Sequence, residues 1–141
     1  MSARLAAWPI PTRPARLVRR FLWIVGAALL LQGGLSLVMR ALAVPLPDLA
    51  LAFVNADPLH ALIHITWGLV MLGAVTRFTD DGALARLVLT FGVFYTLLAF
   101  LGVLVHHPFG LKLDLGENVF HFTVGPLALL FGVWGVRARR P

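Results

Sequence analysis

Four stretches of this chain stay apolar long enough to cross a bilayer, and that feature limits the fold more than any other. They cover about residues 21–39, 58–75, 84–105 and 118–136. A hydrocarbon core of about 30 Å takes roughly 20 helical residues. Backbone groups cannot be left unpaired in lipid, so a spanning segment is a helix or part of a closed barrel. These continuous runs lack the alternation of barrel strands. The expected fold is all-α, a polytopic membrane protein with four transmembrane helices arranged as two tandem hairpins in a bundle. Its expected parts are a basic, proline-containing interfacial tail over 1–20, the membrane domain over 21–136 and a short basic tail over 137–141.

Composition agrees. Of 141 residues, 60% are hydrophobic and 13% charged, whereas a soluble domain carries about 25% charged residues. A small fold has too much surface for so few charges, so a water-soluble monomer is close to excluded. Cysteine is absent, which removes disulfides, thiolate metal sites, iron–sulfur clusters and thiol nucleophiles together.

The net charge of +6 reads as orientation once the basic residues are placed. Arg4, Arg13, Arg16, Arg19 and Arg20 precede the first span. Arg77 and Arg86 flank the second loop, and Arg137, Arg139 and Arg140 follow the last span. Those three regions share one side, leaving only Arg40 and Lys112 on the other. The positive-inside rule then predicts an inner (plasma) membrane protein with both termini cytoplasmic. The arginines with Trp8 suit contact with the bilayer surface and anionic lipid headgroups. No nucleic-acid motif accompanies them. Pro9, Pro11 and Pro14 are expected to break any long helix in the tail. Ala41-Leu42-Ala43 resembles a signal cleavage site. The preceding run is too long for a signal core, and Arg40 intervenes, so an uncleaved helix is expected.

The second and fourth spans begin alike. An offset of 57 carries Asp57 to Asp114, His64 to His121, Thr66 to Thr123 and Gly68 to Gly125. An offset of 70 carries Ala15-Arg16-Leu17-Val18 and Phe21 to Ala85-Arg86-Leu87-Val88 and Phe91. The pattern predicts two hairpins in the same orientation, related by a pseudo-two-fold axis, with the second and fourth helices parallel.

Nearly all the remaining titratable groups gather toward the external side: His60, His64, His106, His107, His121, Asp57, Asp114 and Glu117, with Asn55 and Asn118. Ionisable groups inside a membrane are costly, which makes them candidates for function. Asp57 before Pro58 reads as a helix cap, and Asp114 with Glu117 three residues on resembles a capping box. His106 and His107 with Pro108 read as an interfacial helix ending. His60 and His64, four apart, share one helix face, as do Glu117 and His121. His64 and His121 each lie seven residues past an acidic cap, so parallel helices would bring them to equal depth.

The sequence favours a structural use of these imidazoles, bonded to carbonyls, Thr66, Thr123 or Asn118. The alternatives are a cofactor site, with His64 and His121 binding haem, or His60, His64, Glu117 and His121 binding a divalent metal, and, after these, proton or quinone chemistry. Gln32, near mid-membrane, is expected to hydrogen-bond across helices. Gly68, Gly125, Ala128 and Gly132 are expected to pack helices closely, as are Gly26, Gly33, Gly34 and Gly73. No phosphate loop, catalytic triad or dinucleotide fingerprint is present. A structural or accessory subunit that is not an enzyme is therefore expected, with no resident cofactor. It would act alone, as a homo-oligomer or within a larger membrane complex.

The N-x-x-H-x-x-x-G pattern at Asn118, His121 and Gly125 is similar to the helix starts of the domain of unknown function family 4383. The His60, His64 and Gly68 segment and the Ala85-Arg86 start, with Gly92 and Gly102, resemble it too. The likeness covers roughly residues 16–136, with Ala61 standing where the fourth span has Asn118. It implies a small bacterial four-helix membrane protein whose histidines are a characteristic feature, and it supplies no reaction.

Overall fold

A computed structural model describes residues 12–43, 57–105, 108–111, 113 and 115–138. Four helices account for nearly all of them: α1 (Arg13–Ala41), α2 (Pro58–Arg77), α3 (Asp81–Val105) and α4 (Leu115–Arg137), with a short 3₁₀ turn at Pro108–Gly110. There is no strand among the described residues, and all four helices are long and apolar enough to cross a membrane. The expected all-α four-helix architecture is what the chain adopts.

Local chemistry sets the helix ends. Thr12 caps α1, its hydroxyl accepting from the Ala15 N–H. Pro14 sits in the first turn, where its missing N–H has no intrahelical partner to lose. α1 therefore begins eight residues before its apolar run, and Pro14 does not break it. Asp57 caps α2 as expected, its carboxylate accepting from the Leu59 N–H at 2.9 Å. Asp114, His106, His107, Lys112 and the residues before Thr12 lie outside the described residues.

Close approaches define the hairpins. A methyl group at Gly68 would stand 2.8 Å from the Gly26 carbonyl oxygen, and one at Gly33 would stand 2.6 Å from that of Ala61. α1 and α2 are thus antiparallel and nearly touch backbone to backbone. In the second hairpin, Gly125 faces Thr96 and Gly132 faces Leu89 at 2.7 Å, while Gly92 abuts Ala128. Gly34 meets nothing within 4 Å and takes no part in this packing.

The duplication is visible in what is buried. Ala15, Val18, Phe21, Leu22 and Leu29 are buried in α1, and so are their counterparts Ala85, Val88, Phe91, Gly92 and Ala99 in α3. In α2, His60, His64, Gly68, Met71 and Val75 match buried Glu117, His121, Gly125, Ala128 and Gly132 of α4. Phe21 and Phe91, equivalent residues, meet edge-on with ring centroids 6.0 Å apart. Near the start of both helices, Arg19 of α1 donates to Asp81 of α3 at 2.8 Å. α1 and α3 are therefore parallel, and so are α2 and α4.

Candidate metal centre

Helical periodicity brings the histidines of α2 and α4, and Glu117, inward. His60 and His121 are fully buried, His64 is 3% exposed and Glu117 is 9% exposed. The cluster lies one to two turns inside the ends of α2 and α4 opposite the arginine-rich end. The backbones of α2 and α4 do not pack against each other, so these side chains bridge the gap.

Within α2, Nε2 of His60 stands 3.1 Å from Nε2 of His64. Across the bundle, the His60 ring centroid lies 5.4 Å from that of His121, and the His64 centroid lies 6.2 Å from it. Each of the three imidazoles brings one nitrogen within 4.8 Å of the other two. Equal depth and a shared interior face for His64 and His121 hold in the structure.

Outer groups orient two of the rings. Nδ1 of His64 donates to Oε1 of Gln32 on α1, the cross-helix bond expected of that glutamine. Nδ1 of His60 lies 3.6 Å from the Glu117 carboxylate. A carboxamide oxygen and a carboxylate are both acceptors, so each favours a proton on Nδ1. With both Nδ1 atoms protonated, the lone pairs of the two Nε2 atoms point toward each other; with a proton on either Nε2, the two rings share a hydrogen bond. Glu117 belongs to the first turn of α4, yet its carboxylate is turned inward to this cluster.

The polar partners named for the histidines in the sequence reading are engaged elsewhere. The hydroxyls of Thr66 and Thr123 donate to Leu62 and Val119, four residues back in their own helices, on exposed faces. A helical threonine satisfies itself this way wherever it points. Asn118 donates to the Leu113 carbonyl oxygen. Both ring nitrogens of His121, the Tyr95 hydroxyl, Thr96 Oγ1 and Asn118 Oδ1 are buried without a hydrogen-bond partner among the described residues.

Tyr95 is the member of the site that sequence reasoning missed. Fully buried on α3, its ring lies 5.0 Å from His121 and 6.0 Å from His64. It is the only tyrosine in the chain. A phenol in the middle of an otherwise apolar span was the signal available.

These features define a class: a four-helix bundle, able by length and composition to span a membrane, that encloses three converging imidazoles. Compared with known proteins, the chain matches no family model, no curated protein and no solved structure.

Proposed function

We propose that the protein is a membrane metal-binding protein in which His60, His64 and His121 hold one divalent transition-metal ion. The observation that carries this reading is the 3.1 Å separation of two Nε2 atoms whose outer nitrogens already face acceptors. Two lone pairs at that distance repel unless a proton or a metal cation lies between them. Nitrogens bound at about 2.0–2.1 Å to a tetrahedral ion stand about 3.3 Å apart, close to the separation here. His121 completes a three-imidazole set, the donor type that suits zinc, copper, nickel or iron. Glu117 and Gln32 supply the outer acceptors that fix metal-binding histidines. Haem is disfavoured because a macrocycle between His64 and His121 would have to clear His60, whose ring centroid lies 4.5 Å from that of His64 and 5.4 Å from that of His121. The reading is of binding, with no reaction assigned.

A scaffold or accessory subunit, alone, as a homo-oligomer or in a larger complex, is the second reading. It is supported by the small size and the broad apolar outer face. It would need one proton shared between His60 and His64 against Glu117, and it leaves both nitrogens of His121 unexplained. We read the setting as a bacterial inner membrane, in line with the resemblance to family 4383, with both termini cytoplasmic. The gathering of Arg13, Arg16, Arg19, Arg20, Arg77, Arg86 and Arg137 at one end supports that orientation. Reporter fusions in the 78–80 loop and at the C-terminus should both read cytoplasmic.

Metal analysis and cobalt(II) titration of the purified protein test the site. One equivalent of ion and a visible tetrahedral cobalt spectrum are expected, both lost in His64→Ala and His121→Ala. Glu117→Gln should weaken binding about 10–100-fold. A folded wild-type protein that takes up no stoichiometric ion would refute the reading.

A further inference from the structure

At the arginine end, a groove of about 320 Å³ runs along the outer seam between α2 and α3. Buried Ala74 and Leu84 form its floor, and Leu69, Val70 and Leu87 form its walls. From Leu69 to Arg77 the helix rises about 12 Å. One leaflet supplies about 15 Å of hydrocarbon, so an acyl chain lying in the groove keeps its ordinary depth.

The interfacial end of the groove is a guanidinium. Arg77 ends α2 and folds back along its own helix, where Nη1 would stand 3.2 Å from a Cβ at Gly73. An arginine near a helix end reaches for water where it can. This one lies over the groove instead, in space that the glycine leaves open. The neighbouring charges are already matched: Arg19 pairs with Asp81 at 2.8 Å and Arg86 with Asp80 at 3.7 Å. Arg77 takes part in no hydrogen bond or ion pair among the described residues. An apolar trough thus ends on an uncompensated positive charge.

The scaffold itself demands neither residue. The 57-residue offset carries Gly73 to Leu130 and Arg77 to Trp134, so the corresponding seam between α4 and α1 has a leucine and an indole at those places.

We propose that the α2–α3 groove seats one anionic phospholipid from the leaflet at the arginine end, with an acyl chain in the groove and the phosphate on Arg77. The guanidinium donates to the phosphate oxygens, a charge-assisted contact for which its planar fork is suited. Phosphatidylcholine brings the same chain and phosphate, but its choline cancels the charge. Free phosphate has no use for the apolar walls, and an apolar helix from a second copy would leave Arg77 unmatched. The site uses none of the histidines, so it stands or falls separately from the metal reading.

The test is native mass spectrometry of the full chain released from mild detergent, with dioleoylphosphatidylglycerol or dioleoylphosphatidylcholine added at matched concentrations. One phosphatidylglycerol per chain is expected, undisplaced by millimolar phosphate. It should bind about tenfold more tightly than phosphatidylcholine, the difference made by one charged contact. Arg77→Gln should abolish that preference. Arg20→Gln, which removes an exposed arginine of α1, should leave it within about twofold. Gly73→Leu, which installs the residue of the corresponding seam, should weaken both lipids, and Val70→Trp serves if Gly73→Leu does not fold. Equal binding of the two lipids, displacement by phosphate, or dimers that carry no lipid would overturn the proposal. So would an equal loss of preference in Arg20→Gln, or wild-type affinity in a helical, monodisperse Gly73→Leu or Val70→Trp protein.

Discussion

The arginine end and the histidine end of this bundle are built to opposite rules. At the arginine end, three residues, Phe78 to Asp80, join α2 to α3, and the loop's carbonyls and carboxylate find partners. Arg19 donates to Asp81 and to the carbonyls of Phe78 and Thr79, tying α1 to the loop. Asp80 accepts from the Gly82 N–H and pairs with Arg86 at 3.7 Å. Among the described residues, the buried atoms without hydrogen-bond partners lie from the middle of the bundle toward the other end, on Tyr95, Thr96, Asn118 and His121. Such groups cost about 1–3 kcal/mol each when left unsatisfied. One end secures the fold, and the other leaves buried polar atoms without hydrogen-bond partners among the described residues, at some expense in stability.

The contrast can be broken by mutation, most strongly at Gly132. A Cβ there would stand 2.7 Å from the Leu89 backbone. Overpacking of about 3 kcal/mol, less about 1 kcal/mol of helix propensity, gives a net loss of about 2 kcal/mol for Gly132→Ala. Reversible unfolding in mixed micelles measures it. At the histidine end, His121→Leu replaces an unsatisfied imidazole with an apolar group. The metal-free protein should gain about 1 kcal/mol by the same assay while cobalt uptake disappears. A loss of stability instead would mean that His121 is held by the fold after all. Arg19→Ala should cost about 0.5–1 kcal/mol, modest because the pair is partly solvent-exposed, and should leave cobalt affinity within twofold. Smallest is Gly34→Ala, which meets nothing within 4 Å and should change stability by less than about 1 kcal/mol, in the favourable direction. Gly132→Ala and Gly34→Ala together separate a glycine that packs from one that does not.

Depth was legible in the sequence and azimuth was not. Counting from Asp57, and carrying its spacing to α4, put His64 and His121 at one level, because helical rise is fixed. The two offsets foretold which helices run parallel. Which way a face turns is harder in a membrane, where lipid and bundle interior are equally apolar and hydropathy no longer tells inside from outside. Leu29 is 1% exposed and Leu31 72%, yet nothing in the residue type separates them. The groove between α2 and α3 was invisible for that reason. So was Tyr95, whose hydroxyl could equally have snorkelled outward. The inward turn of Glu117 was half legible: its spacing put it on the His121 face, but an acid in a first helical turn also has a capping role to hand, and the sequence does not decide between them. Thr66 and Thr123 misled in the opposite sense, looking like cross-helix partners while bonding their own carbonyls.

His60 and Glu117 occupy equivalent positions in the two hairpins and face each other at 3.6 Å. Two identical chains joined across an isologous contact could not make that pair, since a position on the two-fold meets only itself. Such an assembly would set imidazole against imidazole or carboxylate against carboxylate. Carrying both halves on one polypeptide frees the facing positions to differ, so a base can meet an acid on an otherwise symmetric scaffold. Exchanging the two residues, as in the double variant His60→Glu with Glu117→His, would therefore keep the pair while moving its charge to the opposite helix.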